Sequence, residues 1–159
     1  ARVNQILLVC TGNTCRSPMA EAILRKKLQE RGGEGVSVSS AGTGAWDGAP
    51  ASEGAYLVAL EHGLDLSSHR ARLLTRELAT AADLVLTMAR HHLARVEQLG
   101  AAGKVYLLGE YGGREGPMAE VRDPFGGDLD SYRETFDELD QVLDAIVVRL
   151  DRERLRDRR

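Results

Sequence analysis

The chain has 159 residues, enough to bury a hydrophobic core without disulfides or metals, and this length predicts a single domain over residues 1–159. The hydrophobic fraction of 43% and the charged fraction of 28% are typical of globular proteins. The net charge of −3 gives no sign of a nucleic-acid partner, and the apolar run at residues 6–9 is too short to span a membrane.

The first residues lack a secretory pattern, so we expect a cytoplasmic protein without membrane partners and, as the simplest state, a monomer. In a reducing compartment, two cysteines are more often reactive than structural.

Apolar, strand-like runs alternate with amphipathic segments along the chain. The four runs are QILLVC (5–10), GVSVSSAG (35–42), ADLVLTMA (82–89) and KVYLL (104–108). Continuous runs suit strands that are buried on both faces of a parallel sheet. Amphipathic segments lie between or after them, with residues recurring at helical spacing: Ala20, Ile23, Leu24 and Leu28; Ala55, Val58, Ala59 and His62; Tyr132, Phe136, Leu139, Leu143, Ile146 and Leu150. One helix after each strand predicts an α/β sandwich, in which ligands bind at the carboxyl ends of the strands.

The stretch VCTGNTCRSP, residues 9–18, lies at that end of the first strand and contains both cysteines. Pro18 suits the first turn of a helix, so the segment predicts a strand, a tight loop and a helix start. Loop amides and the helix N-terminus can then bind an anion, with Gly12 and Asn13 as the candidates for left-handed backbone angles. The guanidinium of Arg16 can bind two phosphate oxygens, so a dianion the size of phosphate fits.

Cys10 lies at the base of this loop, where amides, helix dipole and Arg16 are expected to lower its pKa and make it nucleophilic. Ser17 can stabilise the thiolate. The plain alternative is a buried, unreactive cysteine. Other known sites are disfavoured: a Walker A loop needs G-K-[ST], a zinc site needs further ligands, and a thioredoxin pair has two intervening residues instead of four.

These residues resemble the signature of the low-molecular-weight protein tyrosine phosphatases, V-C-x-G-N-x-C-R-S-P. The segments SSAGTGAW, SSHRARLLT and DPFGG are similar to later family segments, so the resemblance covers nearly the whole chain. It implies the family's three-layer sandwich around a four-stranded parallel sheet, no metal ion and no cofactor, and phosphorylated proteins as substrates.

The resemblance also implies roles for individual residues. Cys10 is the nucleophile that forms a phosphocysteine, Arg16 binds the phosphoryl group, and Asp123 is the general acid. The phosphate-binding loop comprises Thr11, Gly12, Asn13, Thr14, Cys15 and Ser17. Ser40 and His69 are expected to support Asn13, although His69 alone would be an ordinary histidine and DPF an ordinary turn.

The family contains phosphotyrosine and phosphoarginine branches, and Thr14 resembles the arginine branch, since tyrosine enzymes commonly have an aliphatic residue there. A guanidinium also needs hydrogen-bond acceptors, which a threonine supplies. The glycine after Phe125, and Ala89 after a methionine, favour the same branch. Trp46 resembles a cleft tryptophan of the tyrosine branch, unless it only covers hydrophobic surface. We expect a protein-arginine phosphatase, with a protein-tyrosine phosphatase as the alternative.

Two rival classes fit less well. An arsenate reductase needs further downstream cysteines, and a phosphate-binding pseudoenzyme is expected to lack the nucleophile or the acid. Cys15 is a candidate partner for an oxidised Cys10 in a reversible disulfide, or else a packing thiol.

Overall fold

The computed structural model of the chain describes residues 3–33 and 35–157. Four strands form one sheet: β1 (Gln5–Cys10), β2 (Ser37–Gly42), β3 (Leu84–Thr87) and β4 (Val105–Leu107). Their order is β2-β1-β3-β4 and all three pairings are parallel, which confirms the predicted fold class. β1 therefore lies inside the sheet, and its carboxyl end opens onto the segment that begins at Thr11.

The helices are α1 (Arg16–Glu30), α2 (Glu53–Glu61), α3 (Arg76–Ala81), α4 (His91–Val96), α5 (Leu108–Tyr111) and α6 (Leu129–Asp157). A helical turn over Glu97–Ala101 extends α4, and a 3₁₀ turn spans Gly116–Ala119. The sequence predicted one helix between β2 and β3, whereas the structure has two. Ser52 and Thr75 each accept a hydrogen bond from a backbone amide of the helix that follows, so each starts a separate helix.

The side chains of β1 alternate between two apolar clusters, one on each face of the sheet. Ile6 and Leu8 pack with α1, α2 and α6, whereas Leu7 and Val9 pack with α3 and the end of α4. The stripe predicted on the last helix is buried in the first cluster at all six positions. These clusters hold the three layers together and fix the position at which β1 ends. No helix among the described residues is long and apolar enough to cross a membrane.

Candidate active site

The loop that connects β1 to α1 packs directly against the end of β2. The amide of Thr43 donates to the carbonyl of Cys10, and the amide of Gly44 donates to the carbonyl of Thr11, both at 3.0 Å. Asn13 adopts the left-handed region with φ 55°, as predicted, but Gly12 does not, so that part of the prediction is wrong. A single left-handed residue is enough to turn the loop, because the contacts with β2 fix its other side.

The sulfur of Cys10 lies at the bottom of this loop and is almost fully buried. It lies 2.9 Å from the hydroxyl of Ser17 and accepts a hydrogen bond from the amide of Asn13 at 3.2 Å. Burial raises the pKa of the thiol, and this effect exceeds the lowering by Ser17, by Asn13 and by the charge of Arg16. The predicted lowering of the Cys10 pKa is therefore wrong, because the sequence did not show how completely the sulfur is buried.

Asn13 connects the loop to three other parts of the chain. Its side-chain amide donates to the hydroxyls of Ser17, at 2.8 Å, and Ser40, at 2.9 Å, and its side-chain oxygen accepts from the amide of Arg72. Its backbone carbonyl accepts from Nε2 of His69 at 2.7 Å. The structure thus brings both predicted supporting residues to Asn13. Among the described residues, no buried side-chain nitrogen or oxygen lacks a partner.

Arg16 is the first residue of α1, and its buried guanidinium faces the segment that precedes α6. One nitrogen donates to the carbonyl of Val121 at 3.1 Å, and another lies 3.6 Å from the carboxylate of Asp123. Asp123 is half-exposed and accepts a hydrogen bond from the amide of Phe125 at 3.1 Å. The cation and the carboxylate therefore lie at the same opening, although they are far apart in sequence.

A cavity of about 220 Å³ opens above Cys10. It is lined by Cys10, Thr11, Gly12, Thr14, Cys15, Arg16, Asp123 and Phe125. Trp46 does not line it and is 84% exposed, so the structure does not place this residue in the cavity. A larger groove of about 810 Å³ runs beside α6, but it contains neither Cys10 nor Arg16. The smaller cavity is therefore the candidate active site.

Three residues that contact the loop, His92, Ser52 and Tyr132, were not predicted from the sequence to be part of the site. The ring of His92, which is fully buried, lies 2.9 Å from the hydroxyl of Thr11. Behind the loop, the thiol of Cys15 donates to Ser52 and lies 3.5 Å from the hydroxyl of Tyr132. His92 follows β3, the strand beside β1, and this position was a usable signal, because neighbouring parallel strands end at the same edge.

Comparison with known proteins identifies the family. The sequence profile of the "Low molecular weight phosphotyrosine protein phosphatase" family matches residues 5–156. The chain belongs to this family. The chain is a phosphatase of the low-molecular-weight family, whose members act on phosphorylated proteins. Its fold is that of the solved family members.

Family members from both branches are similar to this chain over nearly their whole length. The protein-arginine-phosphatase of Bacillus subtilis strain 168 is 42% identical, with 94% of this chain and 98% of that protein covered. The low molecular weight protein-tyrosine-phosphatase Etp of Escherichia coli strain K12 is 37% identical, with 95% and 97% covered.

The solved arginine phosphatase of Geobacillus stearothermophilus is 38% identical, with a TM-score of 0.86 and 96% of each chain covered. The solved tyrosine phosphatase of Erwinia amylovora is 34% identical, with a TM-score of 0.82 and 92% and 93% covered. Overall similarity therefore does not separate the two substrates.

Proposed function

We propose that this phosphatase hydrolyses phosphoarginine in proteins through a phosphocysteine on Cys10. The Cys10 thiolate attacks phosphorus in line with the bond to the guanidinium nitrogen, and a sulfur–phosphorus bond forms as the phosphorus–nitrogen bond breaks. The amides of the loop and the guanidinium of Arg16 hold the phosphoryl oxygens. Asp123 gives its proton to the departing nitrogen.

The second step returns the enzyme to its starting state. Asp123, now a carboxylate, takes a proton from water as the water oxygen attacks phosphorus. The sulfur–phosphorus bond breaks, and inorganic phosphate and the Cys10 thiolate are released. Asp123 is suited to both steps because it is half-exposed at the cavity mouth and can reach water as well as the leaving group.

The observation that carries the preference for phosphoarginine is the position of Thr14 in the cavity wall. A threonine hydroxyl offers lone pairs to the N–H groups of a guanidinium, whereas a phenol ring prefers apolar contact. A site that pairs with a substrate's polar group rejects an analogue without that group strongly.

The loop that carries Asp123 supports this proposal in a second way. Gly126, which follows Phe125, has φ 80°, a backbone angle that residues with a β-carbon rarely adopt. A second aromatic side chain at this position would strain the loop. Phe125 is the one aromatic residue among those that line the cavity. A phenol ring would therefore meet a single aromatic side chain there, which favours phosphoarginine over phosphotyrosine.

Phosphotyrosine remains the alternative substrate, favoured by two exposed aromatic side chains, Phe125 at the cavity and Trp46 outside it. Trp46 is 84% and Phe125 76% exposed. Phe125 lines the cavity and is available to contact a phenol ring, and Trp46 resembles a cleft tryptophan of the tyrosine branch.

The deciding experiment measures kcat/KM on phosphoarginine and phosphotyrosine peptides for the parent protein and for Thr14→Ile. We expect the parent to prefer phosphoarginine and Thr14→Ile to lose at least about tenfold of that preference, the effect of one hydrogen bond to a charged group. Cys10→Ser provides the inactive control. A parent that prefers phosphotyrosine would overturn the proposal in favour of the alternative.

We also propose that Cys15 makes inactivation by peroxide reversible. Peroxide converts the Cys10 thiolate to a sulfenic acid, and attack by the sulfur of Cys15 then forms a disulfide and releases water. Both cysteines are free thiols in the structure, and they lie at the two ends of the loop between β1 and α1. Because Cys15 now contacts Ser52 and Tyr132, its side chain must leave these partners to reach Cys10.

This redox proposal is tested by treating the parent and Cys15→Ala with peroxide and then with dithiothreitol. We expect the parent to recover most of its own starting activity and Cys15→Ala to recover much less, because its sulfenic acid is oxidised further. Equal fractional recovery would contradict the proposal.

The single domain over residues 1–159, the monomeric state and the cytoplasmic location remain predictions.

A further inference from the structure

His92 is a buried polar residue to which the two-step mechanism gives no role. It is fully buried at the start of α4, and its ring nitrogens have two different partners. The amide of Ala89 donates to Nδ1 at 3.1 Å, and Nε2 lies 2.9 Å from the hydroxyl oxygen of Thr11. The ring thus connects the backbone after β3 to the first residue of the phosphate-binding loop.

These contacts determine which ring nitrogen carries the proton. Burial, with the charges of His91 and Arg16, lowers the pKa of His92 to about 4, so the ring is neutral near pH 7 and carries a single proton. Nδ1 accepts from Ala89 and must be unprotonated. The proton is therefore on Nε2, which donates to the oxygen of Thr11.

The hydroxyl of Thr11 keeps hydrogen-bonding capacity after this contact. A hydroxyl has one proton and two lone pairs, and His92 occupies one lone pair. Thr11 is exposed and lines the cavity, whereas Cys10 is buried at its base. When a phosphoryl group is bound over Cys10, we therefore expect Thr11 to lie beside the leaving group, the part of the substrate that is bonded to phosphorus.

We propose that Thr11, held in place by His92, accepts a hydrogen bond from the guanidinium of the leaving group and is a second determinant of phosphoarginine specificity. This inference rests on the proposed function. The ester oxygen of phosphotyrosine carries no hydrogen and the phenol ring is apolar, so phosphotyrosine offers Thr11 no hydrogen bond to accept. His92 acts only through Thr11 and is a positioning residue.

The test compares kcat/KM on phosphoarginine and phosphotyrosine peptides for Thr11→Val, Thr11→Ser and His92→Phe. We expect Thr11→Val to lower the ratio of the two values about tenfold, the effect of one hydrogen bond to a charged group. Thr11→Ser keeps the hydroxyl and should keep most of the ratio. A double variant that combines Thr11→Val with His92→Phe should match Thr11→Val alone, because His92 has no effect once the hydroxyl is absent.

Thr80→Val is the matched control, because it removes a threonine hydroxyl on α3 that bonds only within its own helix. Melting temperatures identify variants that fail to fold; if His92→Phe fails, Thr11→Val and Thr11→Ser still decide the outcome. A structural role alone would lower both kcat/KM values together and leave the ratio unchanged, which would overturn the inference. A parent that does not prefer phosphoarginine would overturn the proposed function as well, so the two failures are distinguishable.

Discussion

The charge on Cys10 depends on contacts that oppose the effect of burial. Desolvation raises the pKa of the thiol, while the hydroxyl of Ser17 and the amide of Asn13 favour the thiolate. A hydrogen bond to a charged group contributes about 1.5 to 3 kcal/mol. The hydroxyl of Ser17 is the largest opposing influence, ahead of the Ser17 amide, the charge of Arg16 and the Asn13 amide, so its loss should reduce the thiolate fraction of Cys10 the most.

The Ser17→Ala variant tests this dependence. Without the hydroxyl, the Cys10 pKa rises further, so the pH at which kcat/KM increases from its acidic limit should move upward. We expect about a tenfold loss of kcat/KM on the acidic side, with recovery towards the parent value as the pH rises. The pH profile of kcat/KM is the measurement.

Ser40→Ala is the matched control for this profile. Ser40 accepts from the same Asn13 side chain as Ser17 but is not among the groups that affect the Cys10 pKa. Its loss should lower kcat/KM without shifting the profile along the pH axis. Equal shifts for both variants would show that Ser17 acts through Asn13 and not on the thiolate directly.

At the scale of structural elements, the loop depends on a close approach to the end of β2. A β-carbon at Gly42 would lie 2.3 Å from the carbonyl oxygen of Thr11 and 2.9 Å from the amide of Asn13. Both neighbours are backbone atoms, which cannot rotate away. The absence of a side chain at Gly42 therefore lets β2 hold the loop in its binding shape.

We expect Gly42→Ala to lower the free energy of unfolding by about 1 to 3 kcal/mol, the usual cost of overpacking, and to reduce kcat/KM by displacing the loop. Urea unfolding and steady-state kinetics are the measurements. Gly44→Ala is the control, because its nearest neighbour, the methyl group of Thr11, lies at an ordinary 3.9 Å. Similar losses in both variants would contradict the role of the close approach.

The parts of the site that are local in sequence could be predicted, and the parts that depend on packing could not. Residues 9–18 are continuous, so their strand, loop and helix start followed from the sequence. Thr11 and His92 are 81 residues apart, and Cys15 and Ser52 are 37 apart. Those pairs form only when α4 and α2 dock, and the sequence indicates at most that His92 lies at the same edge of the sheet as the loop. The raised pKa of Cys10 was missed for the same reason.

For the whole molecule, the buried ring of His92 links folding to pH. Its pKa is about 4 in the folded chain, against an ordinary value of 6.5, with His91, Arg16 and Asp123 as the charged groups that influence it. Between pH 6.5 and pH 4, the unfolded chain binds a proton that the folded chain does not. Stability is therefore lost as the pH falls through this window, by at most about 1.4 kcal/mol per pH unit from this group.

Replacing His92 by glutamine should remove this contribution, so the stability of His92→Gln should fall less steeply than that of the parent between pH 6.5 and pH 4. Urea unfolding at several pH values measures the slope. His62→Gln is the control, because His62 is exposed and stacks on Phe136 instead of packing beneath the loop. A parent and His92→Gln with the same slope would contradict the assignment.

The long separation of the two halves of the site also has a consequence during protein synthesis. Arg16 and its carbonyl partner Val121 are 105 residues apart, and the proposed acid Asp123 comes later still. At about 5 to 20 residues per second, a ribosome makes Cys10 roughly 5 to 20 seconds before Asp123. On the proposed mechanism, a nascent chain or truncated product therefore carries the thiol without the group that protonates the leaving atom, and we expect no phosphatase activity until translation is almost complete.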